Sequence, residues 1–86
     1  MNIISLAERR KLGEIFWENL DYYRQQYGLT WKELARLIAN TDSNYFYPTL
    51  RTYRFNQRIL REDKIWRITL LFQIRYTDLF KDWNNP

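Results

Sequence analysis

The chain of 86 residues contains no cysteine and no histidine. Without cysteine there is neither a disulfide nor a thiolate metal site, and redox usage gives no reading of compartment. Without histidine, the commonest general base and the commonest metal ligand are missing together. Serine occurs only as Ser5 and Ser43, in cap and loop contexts, so no familiar nucleophile–base pair can be assembled. Gly13 and Gly28 are the only glycines, too few for a loop that cradles phosphates. The adjacent Glu62 and Asp63 fit the positive end of a helix better than an acid–base dyad. An enzyme, a metal centre and a cofactor are therefore not expected. There is also no apolar run long enough to span a bilayer and no signal-peptide pattern, so the expectation is a cytoplasmic protein without a membrane partner.

What remains is the material of one globular domain over residues 1–86. Hydrophobic residues make up 45% and charged residues 28%, which argues against disorder. Aromatics reach 19%, more than a minimal core needs, so some are expected to face another copy, another protein or nucleic acid. The formal net charge of +4 favours a polyanionic partner but also suits plain solubility. Its placement is more informative than its sum.

Ser5-Leu6-Ala7-Glu8 has the spacing of a capping box. Leu12, Ile15, Phe16, Leu20, Tyr23 and Tyr27 then recur at helical intervals, and Gly28 supplies the left-handed residue that ends the helix. A kink or fray is expected around Gly13. Arg9, Arg10 and Lys11 near the start are either solvated charge or phosphate contacts. Thr30-Trp31-Lys32-Glu33 is a second capping box, opening a helix with Trp31, Leu34, Ala35 and Ile38 on one face. Asn40 to Asn44 read as a loop, followed by Tyr45-Phe46-Tyr47-Pro48. Proline suits the first turn of a helix, so the third helix is expected from about Pro48 to about Gln57, with Leu50 and Tyr53 inward. Arg58 and Arg61 lie in a basic connection to a fourth helix, with Glu62 and Asp63 in its first turn. Ile65, Ile68, Leu71, Phe72 and Ile74 form its stripe, with Trp66 and Leu70 beside it. A short fifth helix is expected after a Thr77 cap, carrying Leu79, Phe80 and Trp83, before a frayed Asn84-Asn85-Pro86.

These residues resemble the Cro/repressor family of helix-turn-helix proteins, of the xenobiotic-response-element type. Asn19-Leu20 through Tyr23-Arg24 to Gly28-Leu29-Thr30 is similar to that family's first helix and its exit. Glu33-Leu34-Ala35 resembles the start of its second helix. Ile65, Ile68, Phe72, Ile74, Asp78, Leu79 and Phe80 follow its fourth and fifth helices in order. The resemblance covers about Asn19 to Phe80 and implies an all-α, five-helix bundle of lambda-repressor-like type, with the helix-turn-helix unit at about 30–57. It departs from the family at three places. Trp31 stands where a phosphate-contacting glutamine is usual, the turn around Asn40 to Tyr47 is longer, and Arg54 stands where an acidic partner for Arg24 is usual.

The function so implied is a sequence-specific regulator of transcription that binds double-stranded DNA, dimeric, from a phage, plasmid or other mobile element. Arg51 and Thr52 would face base edges, since arginine bonds guanine O6 and N7 in the major groove. Tyr47 and Thr49 would reach a base or a phosphate, and Arg54, Arg58 and Arg61 the backbone. Alternatively, these arginines only solvate an exposed face. Tyr45, Phe46 and Tyr47 are read as a mini-core for the turn, a stacking surface for nucleotides, or an anchor in a protein partner. Trp31 is expected in the core. Trp66, Leu70 and Trp83 belong either to a dimer interface or to the core. The competing function is a protein-interaction module on the same scaffold, an antitoxin or an inhibitor of a host nucleoprotein.

Overall fold

A computed structural model describes residues 6–83, with side chains described from residue 11 onward. Four α-helices follow one another: α1 Leu6–Gln26, α2 Trp31–Ala39, α3 Tyr47–Phe55 and α4 Glu62–Phe72. No strand occurs among the described residues. The fifth helix of the sequence reading is not an α-helix. Tyr76–Leu79 forms a single 3₁₀ segment with Arg75, not Thr77, at its N-cap, and Trp83 lies beyond it. The capping box at Ser5–Glu8, the side chains of Arg9 and Arg10, and the segment Asn84–Pro86 lie outside the described residues.

The helix ends follow from local chemistry. Gly28 adopts φ +66, and the Gly28 and Leu29 N–H groups bond back to the carbonyls of Gln25 and Arg24, closing α1 with a Schellman motif. With glycine so scarce, Asn40, Gln57 and Gln73 take the left-handed conformation at φ 55, 55 and 53 near the other helix ends. Such a residue costs about 1–2 kcal/mol outside glycine, less where asparagine bonds locally. The Thr30–Glu33 box is formed: the Glu33 N–H donates to Thr30 Oγ1 at 3.0 Å, and the Thr30 N–H donates to Glu33 Oε1 at 3.0 Å.

One core binds these elements. Phe16 and Leu20 of α1, Leu34 and Ala35 of α2, Leu50 of α3, Ile65 and Ile68 of α4, and Leu79 are all essentially inaccessible to solvent. α2 packs on both α3 and α4, and α1 on the 3₁₀ segment. Asn19 is buried with its amide donating to the carbonyls of Leu79 and Lys81 at 2.8 and 2.9 Å, tying the C-terminal segment to α1. Arg67 of α4 reaches across to the Leu37 carbonyl and to Asn40 Oδ1, holding the exit of α2.

Gly13 does not interrupt the helix. α1 runs unbroken through it, and a Cβ at this position would overlap the backbone carbonyl of Gln57, at the exit of α3. The absence of a side chain is a packing requirement. Alanine is the better helix former by about 1 kcal/mol, yet the clash is with backbone, and overpacking of this kind costs about 1–3 kcal/mol. Gly13→Ala should therefore lower stability in urea unfolding. A gain would show that the α3 exit does not press on α1.

Acid should act through the α2 cap. The bond from the Thr30 backbone, and then that with the Thr30 side chain, hold the Glu33 carboxyl below its ordinary 4.5. A folded-state value below the unfolded one adds stability above the unfolded pKa, and that stability is lost as pH falls through the folded value. The melting temperature should drop on acidification below about pH 4.5, and Glu33→Gln should flatten that part of the profile.

Candidate nucleic-acid interface

The local sequence explains how α3 is held. Phe46 is buried as a wedge just before the helix, and Pro48 sits in its first turn, where a missing N–H costs nothing. Leu50 is 1% exposed, and Tyr53 packs against the core. Pro48, Thr49, Arg51, Thr52, Arg54 and Phe55 are left on the solvent side. Beyond the helix, the Trp17 indole N–H of α1 donates to the Arg58 carbonyl at 2.8 Å, so the connection to α4 is seated on α1 as well.

The charge of the chain is concentrated here. Residues 43–61 carry Arg51, Arg54, Arg58 and Arg61 with no aspartate or glutamate. The ten cationic residues elsewhere are balanced one for one by the ten acidic ones, so this segment holds the equivalent of the whole net charge of +4. Arg61 differs from the other three. It is the N-cap residue of α4 and lies 3.8 Å from the Asp63 carboxylate. Among the described residues, no such ion pair is made by Arg51, Arg54 or Arg58.

Aromatic rings take the place of carboxylates. The Arg54 guanidinium lies 4.3 Å from the centroid of the Trp31 ring, and Arg24 lies 4.8 Å from the same ring. Arg51 and Lys32 are 5.7 and 5.5 Å from the Tyr47 ring, and Arg58 is 4.7 Å from that of Tyr53. Each contact is worth about 0.5–1 kcal/mol when exposed. These rings orient the cations without neutralising them.

The same arrangement places Arg24 and Trp31. Arg24 takes its carboxylate from within α1, at 2.7 Å from Asp21, and donates to the Leu29 carbonyl at 2.7 Å. Trp31, expected in the core, is only half-buried; its ring rests 6.1 Å from that of Trp17 and serves as a platform for Arg24 and Arg54. The long turn runs from Asn40 to Phe46 and is braced by Arg36, whose Nε donates to Asn44 Oδ1 at 2.8 Å.

The aromatic triplet divides. Phe46 belongs to the core, Tyr47 to the cation-bearing surface, and Tyr45 is 65% exposed. Trp66 and Leu70 stand exposed on α4, with Trp66 5.0 Å from the ring of Tyr76. Trp83 is exposed as well.

Of the residues singled out in the sequence, Tyr47, Thr49, Arg51, Thr52 and Arg54 share α3, Arg58 follows its exit, and Arg61 stands apart at α4. Lys32 and Trp31 were missed. Their signal is their place at the start of α2, but only the packing of α2 on α3 brings them to Tyr47 and Arg54. Among the described residues, there is no group of three or more Asp and Glu side chains placed to hold a metal ion, and no helix is long and apolar enough to cross a membrane. Comparison of the chain with protein-family models, with curated proteins and with solved structures finds no match in any of the three.

Proposed function

We propose that this chain binds double-stranded DNA as a sequence-specific regulator of transcription of the Cro/repressor helix-turn-helix type, of a phage, plasmid or other mobile element. The observation that carries the reading is the acid-free segment 43–61, which holds the equivalent of the net charge of +4 on and after one exposed helix. A helix fits the major groove, where arginine pairs with guanine. Arg51 and Thr52 contact base edges, and Tyr47 and Thr49 lie at the groove wall. Arg54 and Arg58, held by Trp31 and Tyr53, meet phosphates; Arg61 adds a weaker contact because Asp63 competes for it. Two copies joined through the exposed Trp66 and Leu70 read two half-sites.

The second reading is a protein-interaction module, favoured by the exposure of Tyr45 on its braced turn. Phe46 is core, so a test of that surface must change Tyr45 alone.

The deciding experiment measures binding to random-sequence duplex at two salt concentrations, followed by selection of the bound sequences. A steep salt dependence with an enriched palindrome is expected. Arg51→Ala should relax preference at one base position by about 1–3 kcal/mol. Arg54→Ala and Arg58→Ala should each weaken binding to all sequences alike and reduce the salt slope by about 0.9. No binding at low salt would overturn the DNA reading and move attention to Tyr45→Ala in a pull-down.

A further inference from the structure

Phe55 is 86% exposed, more than any other large hydrophobic side chain described, and it lies in the middle of the cationic segment. On a helix, residues three, four and seven apart share a face. Pro48, Arg51, Thr52 and Phe55 therefore form the line opposite Leu50 and Tyr53, and they border one shallow recess together with Arg54. Arg51, Arg54 and Arg58 precede or follow Phe55 by four, one and three positions, yet each lies over a different ring: Tyr47, Trp31 and Tyr53. The phenyl ring of Phe55 is thus left as an apolar point in the recess it shares with Arg51 and Arg54. Thr52 adds to it. Its hydroxyl donates to the Pro48 carbonyl at 3.0 Å, committing the polar half of the side chain to the helix and leaving the methyl as its outward group.

A complementary surface is anionic around its margin and apolar at one spot. The major groove has this character, with phosphates along both walls and the C5-methyl of thymine as the apolar group among the base edges. Resting on the reading of α3 as the helix that enters that groove, we infer that Phe55, assisted by the Thr52 methyl, is a specificity-determining residue that packs on a thymine methyl near the guanine taken by Arg51. Four residues of helix rise about 6 Å, and base pairs are stacked about 3.4 Å apart. The thymine consequently lies about two base pairs from that guanine.

The test uses the duplex enriched by selection, with each thymine replaced in turn by deoxyuridine, which lacks only the C5-methyl. At one thymine within about two base pairs of the guanine read by Arg51, deoxyuridine should weaken binding about four-fold, the worth of one buried methyl group. Phe55→Ala should weaken binding to the thymine duplex by at least as much and become indifferent to deoxyuridine at that position. Phe55→Leu should keep part of the discrimination. Far-UV circular dichroism should be unchanged in both variants, because the ring lies outside the core. An enriched sequence that tolerates deoxyuridine everywhere, or contains no thymine near that guanine, overturns the role of Phe55 while leaving DNA binding in place. Binding without enrichment overturns it too. No duplex binding at low salt overturns both this inference and the reading on which it rests.

Discussion

Trp17 is the piece on which the geometry of the cationic face depends. Its indole N–H donates to the Arg58 carbonyl, which seats the exit of α3 on α1. Its ring meets Phe16 edge-on at 5.2 Å inside the core and lies 6.1 Å from Trp31 on the outside. One side chain thus ties the end of α3 to the start of α2. Leaving its buried donor without a partner costs about 1–3 kcal/mol, and the loop that presents Arg58 is held further by Leu60, buried in the same core cluster as Trp17. Gly13 lies one helical turn earlier on α1 and gives the Gln57 carbonyl room to approach. The two residues act on the same loop from the same helix.

Arg51, Arg54 and Arg58 make no ion pair among the described residues, although Glu14, Glu18 and Asp21 of α1 line a recess beside Arg54, so their side chains are held without cancelling their charge. Carboxylates would hold them and cancel the charge. The rings of Trp31, Tyr47 and Tyr53 hold them through the negative face of the π system and leave the positive charge intact. Mutual repulsion among exposed arginines is softened by water and salt, with a screening length of about 8 Å at physiological ionic strength. This gives the aromatic excess of the chain a second use beside the core. Five other exposed aromatics, Tyr22, Tyr27, Tyr45, Trp66 and Trp83, lie outside this set of cation-bearing rings around α3, and among them Trp83 carries Lys81 at 4.2 Å.

Much of the fold could be read along the chain. The Thr30–Glu33 box, the left-handed Gly28, Pro48 in the first turn of α3 and the acidic first turn of α4 stand where the residues indicated. The stripes of α2 and α4 proved buried at Leu34, Ala35, Ile38, Ile65, Ile68 and Phe72. The stripe of α1 was incomplete, since Trp17 beside it is buried as well. Tyr45, Phe46 and Tyr47 look alike in the sequence and have three different fates, because a turn has no period from which to infer its inward side. The last segment offered a cap-like threonine and apolar spacing, yet four residues wound as 3₁₀ suffice to bury Leu79.

The sequence by itself determined the exit of α1, the start of α2 and the first turns of α3 and α4, and that positive charge gathers after Ser43. Caps and helical stripes act between residues three or four apart, so their chemistry is complete in a short window. Only the tertiary structure decided why Gly13 must be glycine, that Trp31 is a platform for two guanidiniums, and that of the three rings on α3 itself Tyr47 and Tyr53 lie under arginines while Phe55 does not. Those properties arise from partners far apart in the chain, as with Trp17 and Arg58 at a separation of 41 residues. Their energies depend on distances that exist only once α1, α2 and α3 are packed together.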